Sequence, residues 1–220
     1  MNMRSLIINY KAYEEGVDDA VEIARISASI AHKYNVKVIV SPPLSVLEKV
    51  SAVCESIAQM MHPIDPGAFT GHVSWYEIKK AGAAGALINH SENHISYEEI
   101  DDVVRRCKEH GLSSYVCCAD IDEAKRMAKL SPTAIAYEPT ELIGGNVSVS
   151  KAEPEIVGRF VKVVKAGSSS KALIGAGIKT AEDVKKSVEL GSDGILVASG
   201  IMKAKDYEKS MEELAGPLGL

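Results

Sequence analysis

Thr133-Ala134-Ile135-Ala136-Tyr137-Glu138-Pro139-Thr140-Glu141-Leu142-Ile143-Gly144-Gly145 opens as a short apolar run and breaks off at a carboxylate and a proline. The apolar part reads as a buried strand. Pro139 fixes its own φ and biases Glu138 away from helix, so the carboxylate stands on a stiff strand exit. Behind it, Leu142-Ile143 and two glycines form a segment able to swing and close. A fixed base beside a closing flap suits chemistry that must be kept from water.

Runs of the same kind recur on both sides of this one. Before it lie Leu6-Ile7-Ile8-Asn9, Val36-Lys37-Val38-Ile39-Val40, Ile57-Ala58-Gln59-Met60, Ala86-Leu87-Ile88-Asn89 and Ser114-Tyr115-Val116-Cys117-Cys118. After it come Ala172-Leu173-Ile174-Gly175 and Gly194-Ile195-Leu196-Val197. Apolar on both faces, they suit strands of a parallel sheet covered by helices. Helix-period stretches separate them: Val17 to His32, with Val21, Ala24, Ala28 and Ala31 near one face, then Ile95 to Glu109 and Ile121 to Ala128. Ser96 with Glu99, Asp120 with Glu123 and Thr180 with Asp183 read as helix starts, and Lys108-Glu109-His110-Gly111 as a helix end. Strand, loop and helix alternate about eight times, which predicts an α/β fold, a single compact (β/α)₈ TIM barrel with trimmed helices. An open doubly wound sheet is the alternative, weakened by the lack of a G-x-G-x-x-G after the first strand. No linker divides the chain, so residues 1–220 are expected to form one catalytic domain.

Composition narrows the classes. The 46% hydrophobic and 25% charged residues are those of an ordinary globular protein. A net charge of −5 without a Lys/Arg cluster argues against a nucleic-acid partner, yet leaves room for an anionic small molecule held by backbone amides and a lysine. Cys54, Cys107, Cys117 and Cys118 form no C-x-x-C pair and read as reduced core residues. The opening apolar run is too short for a signal peptide, and no run approaches a membrane span. A cytoplasmic location and no membrane partner are expected.

In such barrels functional residues come from the C-terminal ends of strands. Asn9 ends the first run, with Lys11 two residues on. His90 follows the fourth and Glu138 the sixth. Lys, His and Glu at one mouth suit proton transfer at a carbon next to a carbonyl. Gly175-Ala176-Gly177-Ile178 and Ala198-Ser199-Gly200 end the last two runs, where small residues and free N–H groups can cradle a phosphate. His90 and His94 are spaced as metal ligands on a helix but have no third partner, so no metal is expected.

Asn9-Tyr10-Lys11, Asn89-His90-Ser91-Glu92 and Tyr137-Glu138-Pro139 followed by Ile143-Gly144 resemble the three catalytic segments of the triose-phosphate isomerase family. Gly67-Ala68-Phe69-Thr70-Gly71 resembles its loop after the third strand, and Leu196-Val197-Ala198-Ser199-Gly200 is similar to its compact archaeal branch. The resemblance implies that Glu138 moves a proton between adjacent carbons of dihydroxyacetone phosphate and D-glyceraldehyde 3-phosphate. It implies a neutral His90 polarising the carbonyl, Lys11 offsetting negative charge, and Asn9 adding a hydrogen bond. Ile143, Gly144, Gly177, Ala198 and Ser199 would line the substrate and its phosphate, and Glu92 would sit beside Lys11. No cofactor is implied, and a homo-oligomer, dimer or tetramer, is. The chain departs from the commoner pattern at Asn89 and Asn93, where many members carry Gly and Arg, at Glu141 for a frequent Trp, and at Ala198-Ser199 for Gly-Gly. His62-Pro63-Ile64-Asp65-Pro66 also lacks the usual sequence before Gly67. Two other readings remain at this point: a metal-dependent pentose-phosphate epimerase, and a silent sugar-phosphate sensor on the same barrel.

Overall fold

The computed structural model describes residues 3–139 and 154–219. Among them seven strands run parallel: β1 (Ser5–Asn9), β2 (Lys37–Ser41), β3 (Gly85–Ile88), β4 (Ser113–Cys118), β5 (Ala134–Tyr137), β6 (Lys171–Ile174) and β7 (Gly194–Val197). Their order is β2-β1-β7-β6-β5-β4-β3, so the two ends of the sheet are β2 and β3. The gap between those ends is spanned by the third apolar run. Val40 bridges Ser56 on one side and Ala58 bridges Ala86 on the other. Ile57 N–H donates to the Val40 carbonyl at 2.9 Å, and Leu87 N–H to the Ala58 carbonyl at 2.8 Å.

The eighth position of the barrel is thus filled, but by two isolated bridges and not by the strand expected over Ile57–Met60. After Ala58 the backbone leaves the sheet. Gln59 and Met60 are only half-buried, unlike the strand residues beside them.

Alternation within each strand divides the core in two. Ile7, Ile39, Ile57, Leu87, Tyr115, Cys117, Ala134, Ala136, Leu173 and Leu196 pack together as one cluster inside the barrel. Their neighbours, among them Leu6, Ile8, Val38, Val116, Cys118, Ile135 and Ile195, pack outward in the cluster that includes the helices. Cys117 and Cys118 fall in opposite clusters, as successive strand residues must, and all four cysteines are free thiols.

Helix starts follow the expected chemistry. Ser96 and Glu99 cap the helix Tyr97–Glu109 reciprocally, and Thr180 and Asp183 do the same for Ala181–Glu189. Asp120 accepts the N–H groups of Asp122 and Glu123 at the start of Ile121–Leu130. The first helical stretch differs from expectation. It divides into Glu15–Asp18 and Ala20–Tyr34, and the buried face of the longer helix is Ala20, Ile23, Ala24, Ser27 and Ile30. Ala28 is exposed and Val21 and Ala31 are only half-buried. Two isoleucines remove far more apolar surface from water than alanines do, and they set the rotation of the helix.

Candidate functional site

The segment Asn9-Tyr10-Lys11 turns sharply out of β1. Lys11 has φ +48°, a left-handed conformation that a non-glycine residue holds only when its surroundings impose it. The side chain of Asn9, 4% exposed, accepts the Lys11 N–H at 2.9 Å. The Lys11 ammonium then reaches across the barrel mouth to Glu92 Oε1 at 2.6 Å.

His90 leaves β3 after Asn89, which also has a positive φ, +57°. Asparagine suits this position, since it tolerates the left-handed region better than other non-glycine side chains. The Asn89 amide donates to the Cys117 carbonyl at 3.1 Å and accepts the Ile95 N–H at 3.1 Å, fixing the loop from both sides. His90 is buried, and its Nδ1 accepts the Glu92 N–H at 3.1 Å. An accepting Nδ1 carries no proton, so the neutral ring bears its hydrogen on Nε2. Burial, aided by the Lys11 charge, pushes the His90 pKa down from 6.5 to about 4, and the ring is neutral at physiological pH.

Glu138 leaves β5 with its N–H donated to the Cys118 carbonyl at 2.9 Å. Glu138 is 4% exposed, and its Oε1 lies 3.6 Å from His90 Nε2, in contact but beyond a hydrogen bond. Oε2 has no hydrogen-bond partner among the described residues. Burial raises the Glu138 pKa from 4.5 to about 7, against the lowering pull of the Cys117 thiol and the Lys11 charge. The room for this carboxylate comes from Gly175. A methyl group at that position would lie 2.6 Å from Glu138 Cγ and 3.0 Å from Oε1. The glycine that follows β6 therefore clears space for the carboxylate; the sequence suggested that it cleared space for a ligand.

Lys11, His90 and Glu138 line one cavity of about 260 Å³, together with Asn9, Glu92, Gly177, Ala198 and Ser199. It is lined from the ends of β1, β3 and β5 and from the loops after β6 and β7. Gly177 has φ +69°, and Ser199 begins the short helix Ser199–Met202. Lys179, to which the sequence assigned nothing, also lines the cavity. Ile143, Gly144 and Glu141, with the rest of the expected flap from Thr140 to Gly145, lie outside the described residues. No group of three or more His, Cys, Asp or Glu side chains able to hold a metal ion occurs among the described residues.

A carboxyl near neutrality, a neutral imidazole with its N–H beside it, and a lysine within the same walls can move a proton next to a carbonyl and stabilise the resulting oxyanion. Comparison with known proteins points the same way. The family model for triosephosphate isomerase matches residues 4–214. The chain is 41% identical over 218 residues to the triosephosphate isomerase of Methanothermus fervidus, covering 97% of this chain and 98% of that one. It is 43% identical over 225 residues to that of Caldivirga maquilingensis, with 99% of each chain covered. It is 42% identical over 198 residues to that of Methanopyrus kandleri, covering 87% of this chain and 88% of the other. On the family match and these full-length identities, this chain belongs to the triosephosphate isomerase family.

Proposed function

We propose that this chain interconverts dihydroxyacetone phosphate and D-glyceraldehyde 3-phosphate through an enediolate. The observation that carries the reading is one cavity holding Lys11, a neutral His90 and a Glu138 whose pKa is raised to about 7. The Glu138 carboxylate takes the proton from the carbon beside the carbonyl. The electron pair moves toward the carbonyl oxygen, where the His90 Nε2–H stabilises the growing charge. Glu138 then returns a proton, in part exchanged with solvent, to the neighbouring carbon, while the hydroxyl proton passes from one enediol oxygen to the other by way of His90 Nε2. Lys11 offsets the charge of the phosphate and the enediolate, and Glu92 holds its ammonium at the mouth. Asn9 adds a side-chain hydrogen bond, and the N–H groups of Gly144, Gly177, Ala198 and Ser199 take the phosphate, with Ile143 closing over the substrate. A base near neutrality is well matched to the operating pH, because at pH 7 about half of it is ionised while it remains basic enough to take a carbon-bound proton.

This reading needs no metal and no cofactor, treats residues 1–220 as one catalytic domain, and places the protein in the cytoplasm as a homo-oligomer, dimer or tetramer. A coupled assay on glyceraldehyde 3-phosphate, run with and without a chelator, tests it. Turnover unchanged by chelation is expected. Tight phosphoglycolate binding without any turnover would replace the isomerase with a sensor, and activity lost on chelation would favour a metal-dependent epimerase.

The role of Gly175 gives a second test. Gly175→Ala is expected to displace the Glu138 carboxylate and lower kcat by about tenfold or more. The overpacking should also destabilise the fold by about 1–3 kcal/mol. Steady-state kinetics and thermal melting measure the two effects, and wild-type kcat in the variant would remove the link between this glycine and the base.

A further inference from the structure

We propose that Gln59 is a positioning residue for Lys11, clamping its strained backbone from the side opposite Asn9. The inference rests on the reading of Lys11 as the group that offsets substrate charge. Gln59 lies where the chain leaves the barrel after the bridge at Ala58. Its Nε2 donates to the Lys11 carbonyl at 2.8 Å and to the Ser41 carbonyl at 3.0 Å. Both acceptors are carbonyl oxygens, so the amide nitrogen must face them, and both of its hydrogens are used. The Ser41 carbonyl also accepts the Tyr10 N–H at 3.0 Å. Asn9 accepts the Lys11 N–H at 2.9 Å.

The turn Asn9-Tyr10-Lys11 is thus tied at three points. Asn9 holds the N–H of Lys11, Gln59 holds its C=O, and the end of β2 anchors both Tyr10 and Gln59. A lysine at φ +48° persists only where its surroundings hold it there. Gln59 is the only side chain among the described residues for which a hydrogen bond to the Lys11 carbonyl is found. It lines a hollow of about 210 Å³ that shares Asn9, Lys11, His90 and Glu92 with the candidate active site. Without the clamp, the same ammonium would remain but would sample positions away from the substrate.

A double-mutant cycle separates this role from general support of the fold. Gln59→Met, close in shape and without a donor, is combined with Lys11→Met, and kcat/KM is measured for all four proteins. Gln59→Met is expected to lower kcat/KM about 10- to 100-fold in the wild-type background. In the Lys11→Met background the same change should cost less than about twofold. Gln59→Leu, similar in volume and likewise without a donor or a charge, should repeat the pattern with a melting temperature within a few degrees of wild type. Equal losses in both backgrounds, a loss that follows the melting temperature, or no loss at all would overturn the clamp. Full activity of Lys11→Met on its own would instead overturn the underlying role of Lys11, and the inference with it.

Discussion

Glu138→Asp is expected to lower kcat on the order of 10²-fold or more while phosphoglycolate binds almost as tightly as before. The substitution keeps the charge and the carboxyl chemistry but withdraws the oxygens by one methylene. The rigidity of the site makes that distance matter. Glu138 leaves β5 just before Pro139, its backbone N–H is fixed to the Cys118 carbonyl, and the Gly175 backbone packs against its side chain. A shorter side chain cannot be brought forward without moving the strand. The phosphate contacts proposed at Gly177, Ala198 and Ser199, in the loops after β6 and β7, do not involve the carboxylate. Turnover should therefore fall without a matching loss of analogue affinity. Kinetics together with isothermal titration would show the split, and a variant with undiminished kcat would remove Glu138 from the reaction.

Glu138→Gln is expected to stabilise the fold relative to wild type, and increasingly so as the pH rises. The Glu138 pKa is raised from 4.5 to about 7 by burial, so the native state binds this proton more tightly than the unfolded chain does. Between those values the native protein holds more protons, and stability falls as the pH climbs. The stabilising contribution is complete below about pH 4.5 and gone above about pH 7, a span worth roughly 3 kcal/mol. His90 works in the other direction. Its pKa is pushed down to about 4, so its contribution is complete above pH 6.5 and lost as the pH falls toward 4. The two slopes oppose each other in the wild type, and replacing Glu138 removes one of them. Denaturant unfolding at pH 5 and pH 8, at fixed protomer concentration, should show the advantage of the variant growing by roughly 2–3 kcal/mol. An advantage independent of pH, or one that shrinks toward pH 8, would contradict the raised pKa. A functional carboxylate buried at a cost to stability is the expected signature of a site selected for chemistry.

The barrel was legible because strands buried on both faces are written as unbroken apolar runs. Seven of the eight runs became strands, and the eighth filled its place with two bridges. Hydrophobicity alone could not foresee that difference. Ile57 faces the barrel interior like any strand residue, but Gln59 turns to serve Lys11. The rotation of the helix Ala20–Tyr34 was misread for a related reason. Alanines mark a periodic face without carrying enough apolar area to decide which face is buried, and Ile23 and Ile30 decide it.

The polar residues at strand ends were the readable part of the site. Asn9, His90 and Glu138 were found by that criterion, and Lys11 by its nearness to Asn9. Gln59 stands inside the run Ile57-Ala58-Gln59-Met60, one residue before its end, so that criterion passed over it. What no local pattern could reveal was partnership across the barrel: that Gly175 makes room for Glu138, that Asn89 ties its loop to the Cys117 carbonyl, or that Lys179 shares the cavity. These depend on which strands become neighbours, a property of the closed sheet and not of any single run.

Hydrogen exchange into the substrate tests the central claim most directly. Dihydroxyacetone phosphate is incubated in deuterium oxide with the wild type or with Glu138→Gln, and deuterium on carbon is followed by nuclear magnetic resonance. Deuterium should enter the carbon skeleton with the wild type, while the variant, still able to bind phosphoglycolate, should leave it untouched. Exchange at the wild-type rate with Glu138→Gln would mean that some other group takes the proton.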